Sequence, residues 1–183
     1  MAIQKAFNLR QWIDDHRDVL KPPVGNAQVY EDTDDFIVMV VGGPNTRKDF
    51  HYNETEEFFY QLEGEITVKI REDGETKDIN IQEGEIFLLP AKVPHSPRRP
   101  AKTIGLVIEK KRNAQHTDGL IWFCENCGNK LYEEYFPLRN IVEQLPPIIN
   151  KFRDSKELRT CDQCGTYMEL PDSPKTDVKE KIS

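Results

Sequence analysis

The chain has 183 residues, 37% hydrophobic and 31% charged, with a formal net charge of −7, enough for one substantial domain and a small appendage. The acidic balance argues against extended contact with nucleic-acid phosphates, and no apolar run approaches the roughly 18 residues that a membrane-spanning helix needs. The opening MAIQKAFNLRQWIDDH carries no apolar stretch of signal type, so the expected compartment is the cytoplasm.

The first predicted element is a helix. Asn8 is its N-cap, with Gln11 three residues on. Leu9, Trp12, Ile13 and Val19–Leu20 recur near helical spacing, and Lys21-Pro22-Pro23 ends the run. Val24-Gly25-Asn26 is a turn. From about Ala27 to Lys110 the pattern changes to short strands. Phe36–Val41 is nearly continuous in apolar residues and stops at Gly42-Gly43-Pro44-Asn45. Phe58–Leu62 and Glu65–Ile70 flank Glu63-Gly64. Asp73-Gly74 marks a hairpin leading into Lys77–Ile81. Ile86–Leu89 and Thr103–Glu109 complete the set. Strands broken by turns every eight to twelve residues point to a closed β-barrel or jelly roll.

The segment after Lys110 is polar up to Asp118-Gly119 and reads as a linker. Leu138–Phe152 has the spacing of an amphipathic helix, with an interruption expected at Pro146-Pro147. Residues 171–183 are charged and nearly devoid of large apolar side chains, the composition of a disordered tail. The organisation expected is therefore a catalytic unit over 1–112, an appendage over 113–170 and a tail over 171–183.

His51, Glu57 and His95 form the leading constellation. His51 lies six positions before Glu57, and Glu57 seven before Gly64. Gly84, Pro90 and His95 follow at offsets of six and five. These spacings resemble the two motifs of the cupin superfamily. Asn53 stands where the second histidine of the usual His-x-His would be, and Lys92 where that motif has glycine. Two imidazoles and one carboxylate on one face of a metal leave other positions open, which suits non-haem ferrous oxygen chemistry. Glu56 is the rival to Glu57, whose offset to Gly64 fits the motif better. His16 and His116 lack such context and read as surface residues.

The four cysteines fall in two CxxC pairs, Cys124/Cys127 and Cys161/Cys164, each followed by glycine. Two such knuckles give a tetrahedral four-thiolate site for zinc or a rubredoxin-type iron. A disulfide pairing is the alternative under oxidising conditions. With all four positions filled by protein, this site is expected to clamp loops rather than to bind substrate.

LKPPVGN (Leu20–Asn26), VVGGPN (Val40–Asn45), EEFFYQLEG (Glu56–Gly64), IFLLPAKVPHSPRRP (Ile86–Pro100) and LVIEKKR (Leu106–Arg112) resemble the 3-hydroxyanthranilate 3,4-dioxygenase family from the first helix through Gly165. That resemblance implies a mostly β fold: a cupin jelly roll with a few helices and a small C-terminal rubredoxin-like appendage. It implies ring cleavage of 3-hydroxyanthranilate by dioxygen to 2-amino-3-carboxymuconate semialdehyde, a precursor of quinolinate and NAD. It maps iron ligands onto His51, Glu57 and His95, substrate contacts onto Arg47, Arg99 and Glu109, and suggests a homodimer. Guanidinium forks suit the substrate carboxylate, and Glu109 suits its amine or hydroxyl. Rival readings are a non-catalytic cupin sensor, a zinc-ribbon nucleic-acid binder and another cupin enzyme. The three polar residues oppose the first, the net charge opposes the second, and substrate identity separates the third.

Overall fold

The computed structural model describes residues 3, 5–21, 25–45, 47–139 and 141–171. Helix α1 (Leu9–Asp15) begins as expected, with the Asn8 side chain accepting from the Gln11 amide at 3.1 Å. It ends earlier than the apolar spacing predicts. The His16 ring stacks on Trp12 at 4.1 Å, and its Nδ1 sits 2.7 Å from the Trp12 carbonyl, the acceptor the next helical turn would use. A turn then delivers Leu20 into a cluster with Ile13, Val40 and Ile104. Pro22, Pro23 and Val24 lie outside the described residues.

Among the described residues, eleven strands make two antiparallel sheets. The first holds β1 (Asn26–Gln28), β2 (Phe36–Gly42), β4 (Glu57–Glu63), β7 (Ile86–Leu89) and β9 (Ile104–Lys110), in the order β1-β2-β9-β4-β7. The second holds β3 (Phe50–Tyr52), β5 (Ile66–Glu72), β6 (Glu75–Ile81), β8 (His95–Arg98), β10 (Asp118–Phe123) and β11 (Lys130–Phe136), in the order β11-β10-β3-β8-β5-β6. Both sheets feed one core: Phe59, Leu89 and Val107 from the first meet Ile66, Val68, Ile70 and Ile81 from the second. This is the mostly β jelly-roll architecture expected. Burying those side chains contributes about 1.5–3 kcal/mol each, so the barrel is a stiff frame for polar groups placed inside it.

Turn chemistry fixes the register. Asp73 and Gly74 both have positive φ, 52° and 81°, as a two-residue type I′ hairpin between β5 and β6 demands. Lys92 has φ 68°. It holds the left-handed conformation that glycine would adopt at the same place in the motif, and its amide donates to the Asn53 carbonyl at 2.8 Å.

The segment read as a linker leads directly into a strand. β10 pairs with β3 in the register Gly119↔Tyr52, Leu120↔His51 and Ile121↔Phe50. The second sheet thus continues past residue 112. Gly119 sits within β10, where its absent side chain leaves room for the Tyr135 ring, whose carbons lie 2.6–2.7 Å from where a Cβ would sit.

Helix α2 (Ile141–Asp154) runs through Pro146 and Pro147 without the expected interruption. The two prolines remove two backbone donors, but tertiary anchoring compensates. Leu145, Ile148 and Phe152 recur on one face and pack on Leu120, Trp122 and Met168, with Phe152 stacked on Trp122 at 4.4 Å. Among the described residues, no helix is long and apolar enough to cross a membrane. The tail at 172–183 lies outside the described residues.

Candidate active site and four-cysteine cluster

Strand parity brings the first constellation together. Glu57, Phe59 and Gln61 alternate into the barrel on β4, as Gly105, Val107 and Glu109 do on β9, and Glu57 pairs directly with Glu109. His51 on β3 pairs with His95 on β8. One ligand-type atom from each of His51, Glu57 and His95 lies within 4.8 Å of the others. Glu57 and His95 are buried and His51 is half-buried. Glu56, the rival, points outward and is exposed. Two nitrogens and a carboxylate oxygen clustered inside a barrel fit a divalent transition metal.

The electrostatics follow from that crowding. His95 Nε2 lies 2.9 Å from Glu57 Oε2, and its Nδ1 lies 3.0 Å from the Val93 carbonyl. Burial pushes the Glu57 carboxyl up, but His95, His51 and Arg112 outweigh it and hold Glu57 below the usual carboxylate range. Burial likewise works against a charged His95, yet Glu57 holds its proton on and raises it. Glu109 goes the other way: burial, then the Glu57 charge, push it up against the pull of Arg112.

Beside this cluster lies a group of residues that sequence reasoning passed over. Asp118, fully buried on β10, has Oδ2 2.7 Å from His51 Nε2. Arg112, 4% exposed, donates to Asp118 through Nε at 3.0 Å and Nη2 at 2.9 Å. Its Nη1 bonds to Glu109 and to the Lys110 carbonyl. Asn53, with its amide turned to satisfy both ends, donates to the Thr55 carbonyl and accepts from Arg112 Nη2 at 3.3 Å. In the sequence Asp118 stands at the end of a polar segment that reads as a linker.

The two expected substrate arginines differ in setting. Arg99 is 4% exposed and its backbone bridges to Asn45. Its guanidinium lies over Gly105, where an added Cβ would sit 2.7 Å from Nη1, and it donates weakly to Gln61 Oε1 at 3.4 Å. No carboxylate among the described residues pairs with it. Burial pushes it down to about 10, partly offset by the Glu57 charge. Arg47 precedes β3, its side chain 44% exposed, and grips buried Asp49 through Nε at 2.9 Å and through Nη2. Asn26 opens β1 and is exposed. His116 sits in the loop before β10.

The second cluster forms as its spacing predicts. The sulfurs of Cys124, Cys127, Cys161 and Cys164 all lie within 4.8 Å of one another. The closest approaches are 3.5 Å (Cys127–Cys161) and 3.6 Å (Cys124–Cys164), and all four thiols are free. Gly128 and Gly165 take φ of 74° and 73°, letting their amides return to the Cys124 and Cys161 carbonyls at 2.9 and 2.8 Å. Thr166 and Asn126 beside the Cys164 sulfur push its thiol down to about 5. A four-sulfur set of this shape fits one tetrahedral metal and leaves no position open. The knuckle is fastened to the barrel by Arg71, which donates to the Gly128 carbonyl at 3.1 Å and covers the Phe123 ring at 4.2 Å, and by the 2.7 Å Lys48–Glu125 ion pair.

Comparison with known proteins gives a consistent set. Residues 1–153 match the model of the family described as 3-hydroxyanthranilic acid dioxygenase. A 3-hydroxyanthranilate 3,4-dioxygenase from Xanthomonas euvesicatoria pv. vesicatoria is 53% identical over 166 residues, covering 91% of this chain and 93% of the relative. One from Ruegeria pomeroyi is 48% identical over 180 residues, covering 98% and 99%. Among solved structures, a cupin-2 domain containing protein from Shewanella frigidimarina aligns with a TM-score of 0.46 and 19% identity, over 58% of this chain and 95% of that one.

Proposed function

Because the chain belongs to the 3-hydroxyanthranilic acid dioxygenase family, we propose that it opens the ring of 3-hydroxyanthranilate with dioxygen, giving 2-amino-3-carboxymuconate semialdehyde. The observation that carries this reading is the buried guanidinium of Arg99, which no carboxylate among the described residues pairs with, in the barrel that also holds the His51–Glu57–His95 cluster. A buried, unpaired cation is costly. A substrate bearing a carboxylate relieves that cost on binding, so the free energy goes into placing the ring.

In this reading His51, Glu57 and His95 hold a ferrous ion. Ferrous iron, when bound, supplies Lewis acidity and the one-electron chemistry that oxygen activation needs. The protein's own groups orient the substrate. Arg99 takes the carboxylate, together with the Arg47 donors not engaged by Asp49. Glu109, held above the usual carboxylate range by burial and Glu57, accepts a hydrogen bond from the amine or phenol and is basic enough to hold the phenolic proton. Phe59, Val107 and Leu89 keep the surrounding space apolar, which strengthens those contacts.

The four-cysteine cluster, with zinc or iron, clamps β10 and the segment after α2 and takes no part in turnover. Residues 1–112 supply the metal and substrate ligands, and residues 113–170 supply β10, which extends the second sheet, and the clamp. Free thiols suit a reducing, cytoplasmic setting. The apolar outer face of the first sheet, where Phe36, Ile86 and Leu88 are 56%, 65% and 54% exposed, supports assembly as a homodimer.

The decisive experiment adds Fe(II) and 3-hydroxyanthranilate without oxygen, then admits oxygen and follows its uptake together with product absorbance. Equal consumption of oxygen and substrate, abolished in His51→Ala, is the expected result. No uptake above a substrate-free control overturns the proposal.

A further inference from the structure

We infer that Asp118, clamped by Arg112, is a positioning residue for His51: it fixes the imidazole so that only one of its two nitrogens is left for the metal. The inference rests on the proposed iron site. It goes beyond that site because Asp118 lies 67 positions away in sequence and belongs to neither histidine motif.

An imidazole on a short strand has a rotatable ring and two chemically similar nitrogens. A metal ligand needs the ring in one rotation and the lone pair on one nitrogen. In this barrel the choice is made by a carboxylate. Asp118 Oδ2 lies 2.7 Å from His51 Nε2, so that nitrogen is committed to Asp118 and the lone pair falls on the other. The backbone supports the same contact, because β10 pairs with β3 and Leu120 faces His51 across the ladder. The carboxylate itself cannot swing: Arg112 holds both of its oxygens, at 3.0 and 2.9 Å, and Arg112 is in turn tied to Glu109 and the Lys110 carbonyl. Asp118 has no solvent exposure and Arg112 only 4%. A fully buried ion pair is poorly repaid as stability alone, so its placement against a ligand-type histidine points to orientation as its use. Asp118 is not part of the cluster whose atoms lie within 4.8 Å, which keeps it in an outer role.

The test compares wild type, Asp118→Asn and Asp118→Ala. Fe(II) dissociation constants are measured anaerobically by competition with a chromophoric chelator, alongside metal content at the four-cysteine cluster, KM for 3-hydroxyanthranilate and melting temperature. Asp118→Asn keeps the shape but offers one acceptor where two partners need one. It should weaken iron binding about 10- to 100-fold, recover part of its kcat in excess Fe(II), and leave KM and the cysteine-bound metal unchanged. Iron affinity within about twofold of wild type, whatever the melting temperature, overturns the inference. A second measurement needs no variant. In zinc-loaded wild-type protein, the nuclear magnetic resonance signal of the His51 ring N–H should be sharp and protected from exchange, and an exchange-broadened N–H also overturns it. If instead wild type and His51→Ala bind Fe(II) equally, the iron-site reading itself has failed, an outcome distinct from either of these.

Discussion

Replacing Arg99 with methionine should make the protein more stable and nearly inactive. The guanidinium is 4% exposed, and its one polar contact among the described side chains is a 3.4 Å approach to Gln61. Burial carries it from its ordinary value down to about 10, a penalty of about 3 kcal/mol on the charged form at neutral pH. The sign is clear: the folded value lies below the unfolded one, so the proton is held less tightly in the fold, and the charge costs stability at all pH values where it persists. Methionine fills similar volume without the charge. Allowing half the penalty for the lost Gln61 contact and imperfect packing, the substrate-free variant should gain about 1.5 kcal/mol, a rise of several degrees in melting temperature. Its kcat/KM should fall by at least about a hundredfold, the worth of a charge-assisted fork to a carboxylate. Thermal melts without substrate and initial rates by product absorbance check both halves, with retained iron as the control. A variant that melts lower and turns over normally would refute the argument that the barrel stores an unpaired cation for its ligand.

Gly105→Ala places a Cβ 2.7 Å from Arg99 Nη1 and 2.9 Å from Gln61 Oε1; it should raise KM about tenfold with a smaller change in kcat, which steady-state kinetics will show. Cys124→Ser should lose the cysteine-bound metal and melt at lower temperature, while turnover per folded, iron-loaded molecule stays within about twofold of wild type; abolished turnover with iron in place would contradict the clamp. Iron affinity of the metal-free protein should climb with pH. Glu57 raises the His95 value, so their ion pair stabilises the metal-free fold fully below the ordinary histidine value and fades as pH rises through the raised one. The metal must displace that proton, which weakens binding by up to about tenfold per pH unit below the raised value; chelator competition across the range tests it. Phe152→Ala should cost about 3–5 kcal/mol, read from denaturant melts, because the ring is 1% exposed and stacked on Trp122.

Much of this arrangement was legible in the chain because its signals are local. Asp73-Gly74, the Asn8 cap and the CxxC-Gly knuckles each specify their own geometry within a few residues. The motif offsets single out His51, Glu57 and His95, whose ligand-type atoms gather within 4.8 Å. What escaped notice depends on distant partners. The first two residues of β10 read as the end of a linker because Gly119 is there for the Tyr135 ring, and Asp118 for His51 and Arg112. α2 survives two prolines because Trp122, on another element, holds its apolar face. The Asp49 partner of Arg47 also has no signal in the chain beyond their spacing of two residues.

The pairing of β3 with β10 also sets an order of assembly. His51 leaves the ribosome early, yet the strand that pairs with the other edge of β3 begins 67 residues later, at Asp118. Closing so long a loop is slow relative to a local hairpin. A nascent chain with only its first nine strands would present β3 as a three-residue edge with an unsteered histidine. On the proposed metal site, a chain truncated after β9 should therefore fold without retaining its metal, which metal analysis of the purified truncated protein would show.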